Sequence, residues 1–321
     1  MMEGLIETTL LERLNELQQP FYQDINDAIR EIEKNKEVIT LNQELYYNQK
    51  RDEKDKKHYY QSVSNLTANL FYRYHELLKK THKHHLTYFI SKDQFLYTWV
   101  DMHPDGTIKS IYSGMDQDPK KLLQDDFLTI QKKYWRFQEL LNTQKELYVI
   151  RNEKITKIDV EYKFNTEHIV PQSWYGAEDP MKGDLHHLFA CQPDCNIKRS
   201  NFPYDDFSFY NPELPNEKIQ NHCGVTMENR FEPEYGKGTV ARAMMYFLVR
   251  YPRAIKKSFL RNIDISLMIK WHQQFEVSIY EKHRNQAIYL IQGNRNPFID
   301  FPELAEQMTF QISPSRKKNI Y

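Results

Sequence analysis

The sequence predicts a mixed α+β protein with more helix than strand. Three observations lead there. Apolar residues recur every three or four positions between Leu5 and Leu78, the spacing switches to short strand-like runs between Leu86 and Tyr112, and residues 164–202 carry a strand, loop, strand and helix pattern.

Taken in order, Leu5, Ile6, Leu10, Leu11, Leu14 and Leu17 predict a first helix, and Pro20 breaks it or starts the next. Phe21, Ile25, Ile29 and Ile32 predict a second. Charges dominate Lys50 to Lys57, which reads as a solvated linker or helix face and sets the boundary of a helical extension over residues 1–58. Between Tyr59 and Lys83, Leu66, Leu70, Tyr74, Leu77 and Leu78 fall on one helical face. Leu86–Ile90, Gln94–Val100 and Ile108–Tyr112 read as short strands, with Pro104-Asp105-Gly106 as a turn. A helix is expected from about Pro119 to Leu147, irregular chain from Arg151 to Phe209, and helix again at Val240–Leu248 and Leu267–Gln274. The tail, residues 310–321, is polar and basic.

Composition narrows the function classes. Lys plus Arg and Asp plus Glu each total 44, so the formal net charge is zero. A protein that holds nucleic acid by bulk electrostatics is usually basic. Any such contact here must come from a local arrangement of cations. No basic segment followed by an apolar run opens the chain, and no apolar run is long enough to span a bilayer, so the sequence reads as soluble and cytoplasmic.

The chemistry concentrates in three pieces: Phe164 to Trp174, Gly183 to Phe189, and Asn196 to Phe202. The first two alternate like short strands and the third can form a short helix, an arrangement able to bring Glu167, His168 and Asn196 to one cleft. A carboxylate and an amide oxygen are hard donors suited to magnesium, which keeps several waters. On a strand His168 points away from Glu167, so one residue can hold metal while the next works on water as general base. Taken alone the pair is weak, since a Glu-His dipeptide is common and a structural histidine is the ordinary reading. Adjacent His186 and His187 read as one fold-supporting and one partly exposed residue. No phosphate-cradling Gly-Lys-Ser/Thr loop, Gly-x-Ser-x-Gly elbow or His-Glu-x-x-His pair competes.

With these motifs in order, the chain closely resembles the endonuclease I family of bacterial nucleases, members of the ββα-metal (His-Me finger) superfamily. The matching pieces are Asn165–Trp174, Gly183–Leu188, Asn196–Asn201, Phe231-Glu232-Pro233 with Gly238–Arg242, and Gln292–Asp300; Leu86-Thr87-Tyr88 and Ile111–Gly114 match less specifically. The resemblance implies a ββα-metal core embedded in a mainly helical nuclease domain, residues 59–309, behind the extension. It implies Glu167 and Asn196 as ligands of one magnesium ion, with manganese as a substitute, and His168 as general base. The substrate would be DNA, often RNA too, cut with little sequence preference to 5′-phosphate products. Arg199 and Arg242 lie in matched segments and are candidates for phosphate or transition-state contact.

Three departures stand out. The loop that carries a phosphate-stabilising arginine in some members is short here, Tyr175 to Lys182, and has none, so either another cation serves or the transition state is less well stabilised. A Gly-Asp-Ile-Ala-Arg run reads Gly238-Thr239-Val240-Ala241-Arg242. Family members are often exported, whereas this chain shows no export signal. Three cysteines exclude a complete set of internal disulfides; Cys191, Cys195 and Cys223 read as buried thiols, ahead of a zinc site with His222. A catalytically silent nucleic-acid-binding or assembly protein on the same fold is the alternative reading, and residues 1–58 could dock a protein partner.

Overall fold

The computed structural model describes residues 2–18, 25–63, 68–142, 148–210, 212, 220 and 222–310. The chain opens with helices α1 (Met2–Gln18), α2 (Ile25–Leu41), α3 (Gln43–Tyr46), α4 (Gln49–Tyr59) and α5 (Leu70–Thr81). A short helix α6 (Tyr88–Ile90) runs into a π-helix over Ser91–Val100. Both replace expected strands. The run is buried on most sides, including Tyr88, Phe89, Leu96, Tyr97 and Val100. Periodicity cannot separate a buried strand from a buried helix in so apolar a stretch.

Strands β1 (Ile108–Lys109) and β2 (Asp116–Gln117) form a minimal hairpin, shorter than the expected Ile108–Tyr112 strand. The chain leaves β1 because Ile111 N donates to Ala190 O (2.9 Å), docking Tyr112 towards the later sheet. Helices α7 (Pro119–Asn142) and α8 (Tyr148–Glu161) follow. The end expected for α7, Leu147, lies outside the described residues. Helix α8 occupies the start of the segment expected to be irregular. Its buried apolar stripe is narrow, Ile155 and Ile158, and gives a weak periodic signal.

Next come β3 (Thr166–His168), α9 (Gln172–Tyr175), β4 (Leu188–Ala190) and α10 (Pro193–Arg199). β3 and β4 pair antiparallel, with Glu167 opposite Phe189 and His168 opposite Leu188. A third hairpin joins β5 (Val225–Met227) to β6 (Arg230–Glu232) through Glu228 and Asn229, both at positive φ, as a tight two-residue turn requires. Helix α11 (Lys237–Arg250) has every residue except Thr239 buried, so it forms the centre of one hydrophobic core. Helices α12 (Lys257–Leu260), α13 (Ile265–Gln274), α14 (Ile279–Gln292), α15 (Pro297–Asp300) and α16 (Leu304–Gln307) complete the described chain. Ser278 and Glu281 close a reciprocal capping box at the start of α14.

A second core joins α1, α2, the π-helix and α7, and takes in Leu185, Leu188 and Ala190 from around β4. Leu10, Leu14, Leu17, Ile32 and Ile39 are all buried there. The charged run Lys50–Lys57 is part of α4 and is no linker. Asn48 caps that helix by accepting from Arg51 N (2.9 Å). Asp52 turns inward and pairs with buried Arg295 (2.7 Å), in the Gln292–Asp300 motif at the other end of the sequence.

Because Leu10 is fully buried, Leu10→Ala should destabilise the protein by about 2–5 kcal/mol, the usual cost of a buried leucine truncation. Deleting residues 1–58 should expose the apolar surface beneath α1 and α2, at about 25 cal/mol per Å², and give aggregated or low-melting protein. A soluble truncation with the melting temperature of the full chain would contradict this packing.

Candidate active site

Residue alternation along β3 sends Glu167 and His168 into different surroundings. Glu167 meets Tyr112 and Arg199, while His168 meets Tyr88, His187 and the Lys182 carbonyl. Helix α10 brings up Asn196, whose Nδ2 donates to Thr166 O (2.6 Å) and ties helix to strand. Its Oδ1 accepts no hydrogen bond among the described residues. Glu167, His168 and Asn196 are all buried, and together they line the floor of a cleft of about 730 Å³.

Glu167 is held on its inner side. Tyr112 Oη donates to Oε1 (2.9 Å) and also bonds Tyr204 Oη (2.7 Å). Arg199 Nε lies 3.4 Å from the same Oε1. Burial pushes the carboxyl above the ordinary range, with Arg199 and the Tyr112 hydrogen bond pulling the other way.

His168 Nε2 lies 2.8 Å from Lys182 O. A carbonyl can only accept, so Nε2 carries the proton and Nδ1 presents its lone pair, to which Gln172 Nε2 donates at 3.2 Å. Burial holds the imidazole well below its ordinary pKa, helped by His187 and by the Lys182 and Lys163 charges, so the ring is neutral at neutral pH. The Lys182 carbonyl is positioned by the following residue: a Cβ on Gly183 would stand 1.9 Å from Leu86 O, so only glycine seats this loop. His186 and His187 are both fully buried, so the expectation that one is partly exposed is corrected. His187 Nε2 bonds Met181 O (2.6 Å), bracing the same loop. Asp184 accepts from Tyr246, Tyr251 and Gln292, fixing the segment from beneath.

The two candidate arginines part company. Arg199 is in the site but fully buried, donating to Ile169 O (2.8 Å) and Ser200 O (3.1 Å) beside Glu167. It is placed to balance the carboxylate. Arg242 is elsewhere: it grips Glu281 with two bonds (2.6 and 2.9 Å) and Phe275 O (2.9 Å), and does not line the cleft. It is a structural partner of the α14 cap, and the expectation of a phosphate contact is corrected.

Sequence reasoning passed over Tyr112, Tyr204, Gln172 and Lys163. Gln172 and Tyr112 lie inside matched motifs, whereas Tyr204 and Lys163 carried no signal. Lys163 lines the cleft, half-buried, and its charge acts on both Glu167 and His168. Among the described residues it has no ion pair or hydrogen bond. The other cleft lysines are engaged, Lys133 with Asp159 (2.8 Å) and Lys182 with Glu16.

Cys195, next to Asn196, is joined to Cys223 by a disulfide, with Cα atoms 4.8 Å apart. This replaces both the thiol reading of these two residues and the zinc alternative; Cys191 is free and buried, as expected. Among the described residues no three His, Cys, Asp or Glu side chains form a metal-binding group. Glu167 and Asn196 offer one carboxylate and one amide oxygen, a donor set that fits magnesium.

The endonuclease I family profile matches residues 75–303. The chain belongs to the endonuclease I family. Among its relatives, an extracellular ribonuclease of Bacillus amyloliquefaciens is 32% identical over 160 residues, 45% of this chain and 53% of the relative. An extracellular deoxyribonuclease of Aeromonas hydrophila is 29% identical over 155 residues, covering 42% and 64%. Endonuclease-1 of Buchnera aphidicola subsp. Baizongia pistaciae is 28% identical over 121 residues, covering 37% and 46%. The chain thus spans roughly half to just under two thirds of the curated relatives it matches. No helix among the described residues is long and apolar enough to cross a membrane.

The buried histidines of this endonuclease I family chain make its stability acid-sensitive. Burial lowers His82, His103 and His186 from 6.5 to about 4. Between those values the unfolded chain binds more protons than the folded one. Their contribution is therefore complete above pH 6.5 and is lost as pH falls towards 4, at about 1.4 kcal/mol per unit for each group. Melting temperatures should be level near neutrality and drop steadily through this window. A constant melting temperature across it would contradict the burial of these rings.

Proposed function

We propose that this chain is a magnesium-dependent endonuclease that hydrolyses phosphodiester bonds of DNA, and of RNA, with little sequence preference. The observation that carries the reading is His168 itself: a buried neutral imidazole, its Nε2 proton committed to the Lys182 carbonyl, keeps its Nδ1 lone pair available in a cleft that a carboxylate, Glu167, and an amide, Asn196, also line. We read the antiparallel β3–β4 pair followed by α10 as a ββα-metal core. Relatives named as ribonuclease and as deoxyribonuclease support both substrates.

His168 Nδ1 takes a proton from water as its oxygen bonds to phosphorus. The bond from phosphorus to the 3′ oxygen breaks, that oxygen takes up a proton from solvent, and the 5′ side keeps the phosphate. The long Gln172 bond to Nδ1 is one that an incoming water can replace. Glu167 and Asn196 Oδ1 would hold the magnesium ion, which supplies positive charge to the phosphate and leaving oxygens. Arg199 and Tyr112 keep the carboxylate oriented. Lys163 takes the phosphate contact for which the short Tyr175–Lys182 loop has no arginine. The Cys195–Cys223 disulfide suits an oxidising compartment better than the reducing cytoplasm expected from the sequence.

Digestion of plasmid and of RNA tests this. Wild type with magnesium should degrade both at many sites, excess EDTA should abolish cleavage, and His168→Ala should slow it by about 10²–10⁴-fold. Full activity in EDTA, wild-type turnover by His168→Ala, or one discrete cut in mixed-sequence DNA would each contradict it. Tight binding without cleavage under all conditions would favour a silent binding protein. Lys163→Ala should lower kcat/KM by roughly ten- to a hundredfold, the value of one charge-assisted hydrogen bond, with an unchanged melting temperature. Wild-type kcat/KM in that variant would remove Lys163 from the site.

A further inference from the structure

A second pocket, of about 500 Å³, opens on the far side of the loop that ends the catalytic cleft. Met181 lines this pocket and the next residue, Lys182, lines the cleft, so the two are separated by the thickness of one loop. Its wall holds Arg250, the last residue of α11, together with Tyr251. Arg250 is only 7% exposed. Its Nε is buried without a hydrogen-bond partner, and no described residue forms an ion pair with its guanidinium. Its contact is the face of Tyr251, 4.4 Å from the ring centroid.

That state sets it apart from the other buried arginines. Arg199 has Glu167, Arg242 has Glu281, Arg284 has Asp101, and Arg295 has Asp52 and Asp300. A buried charge without a counter-charge is costly, and a guanidinium fork matches the oxygens of a carboxylate or phosphate. The rim supplies more cations, exposed Lys79 and Arg253, and an aromatic face in Tyr72, which is 63% exposed. Glu76, on the same rim, lies 3.7 Å from His75 Nε2. An anion socket beside an exposed aromatic ring matches one nucleotide of a single strand: a phosphate for the guanidinium and a base for the ring.

We propose that this pocket is a second phosphate-binding site, in which Arg250 holds a backbone phosphate of a nucleic-acid strand and Tyr72 stacks an adjoining base. A strand engaged in the catalytic cleft would gain a second hold across the Met181–Lys182 loop. The choice of nucleic acid as ligand rests on the nuclease reading; the anion socket does not.

The test uses the full chain carrying His168→Ala, in EDTA, so that bound strands stay intact. Binding of a fluorescent single-stranded oligonucleotide of about ten nucleotides is followed by anisotropy at several salt concentrations. Adding Arg250→Gln should weaken binding roughly tenfold and reduce the salt slope by about one. Arg250→Lys should recover part of the loss, and Tyr72→Ala should weaken binding without changing the salt slope. Equal affinity in Arg250→Gln and Tyr72→Ala, with unchanged melting, would overturn the proposal. If Arg250→Gln does not fold, the exposed variants Tyr72→Ala and Arg253→Ala decide in the same assay. In parallel, inorganic phosphate is added to thermal melts. Arg250-dependent stabilisation by phosphate together with unaltered oligonucleotide binding would mean a free-phosphate site and would also overturn it. Plasmid cleavage by the protein with His168 intact separates the two readings: cleavage with Arg250-independent binding removes only the second site, and absent cleavage with Arg250-dependent binding removes only the nuclease.

Discussion

A carboxylate at the bottom of a protein cleft needs a counter-charge, and the Glu167–Arg199 contact supplies it. Glu167 on β3 faces Arg199 on α10 at 3.4 Å, with Tyr112 donating to the same oxygen. Four separate stretches of chain converge there: β3, α10, the turn after β1, and Tyr204. Removing Arg199 would leave an uncompensated buried charge, a change that commonly costs 3–5 kcal/mol. The pair also explains why Arg199 is spent inside the protein. Its Nη atoms donate to the Ile169 and Ser200 carbonyls, while its Nε faces Glu167. A divalent cation on the outer side of Glu167 would then see a carboxylate already fixed in direction.

The extension is bound to the same site. Glu12, Arg13, Glu16 and Leu17 of α1 line the cleft, although the family profile begins only at residue 75. Glu16 pairs with Lys182, whose carbonyl fixes the His168 proton, and Arg13 pairs with Asp159 on α8. Asp52 on α4 reaches Arg295 in the last family motif. The α1 helix is thus one wall of the cleft. It sits one ion pair and one hydrogen bond away from the imidazole on which the proposed chemistry turns.

How much of this was legible in the sequence follows the range of the interactions involved. The β3, β4 and α10 pieces could be read because strand alternation and a short helix are local patterns, and the motif order gave the family. The grouping of Glu167, His168 and Asn196 was expected on the same grounds. Leu86–Ile90 and Gln94–Val100 look like strands in sequence although Tyr88–Val100 is helical, because burial on most sides erases the helical period. Arg199 and Arg242 look alike in sequence, each next to family-matched residues. Only the fold separates them, through partners 32 and 39 positions away, Glu167 and Glu281. The Cys195–Cys223 bond and the uncommitted Lys163 were invisible for the same reason, since neither has a spacing that marks it. The acidic and basic residues of Lys50–Lys57 suggested solvent, and one of them, Asp52, is buried against a partner 243 positions away, Arg295.

The central claim is a division of labour between neighbours on one strand, with Glu167 and Asn196 holding metal and His168 working on water. Manganese binding, followed by electron paramagnetic resonance on wild type, His168→Ala and Glu167→Gln, tests it most directly because it needs no turnover. The account predicts that His168→Ala binds the ion as wild type does and that Glu167→Gln loses it, with Asp52, Glu234 and the other distant acids left intact in both. Retained binding in Glu167→Gln, or its loss in His168→Ala, would contradict it.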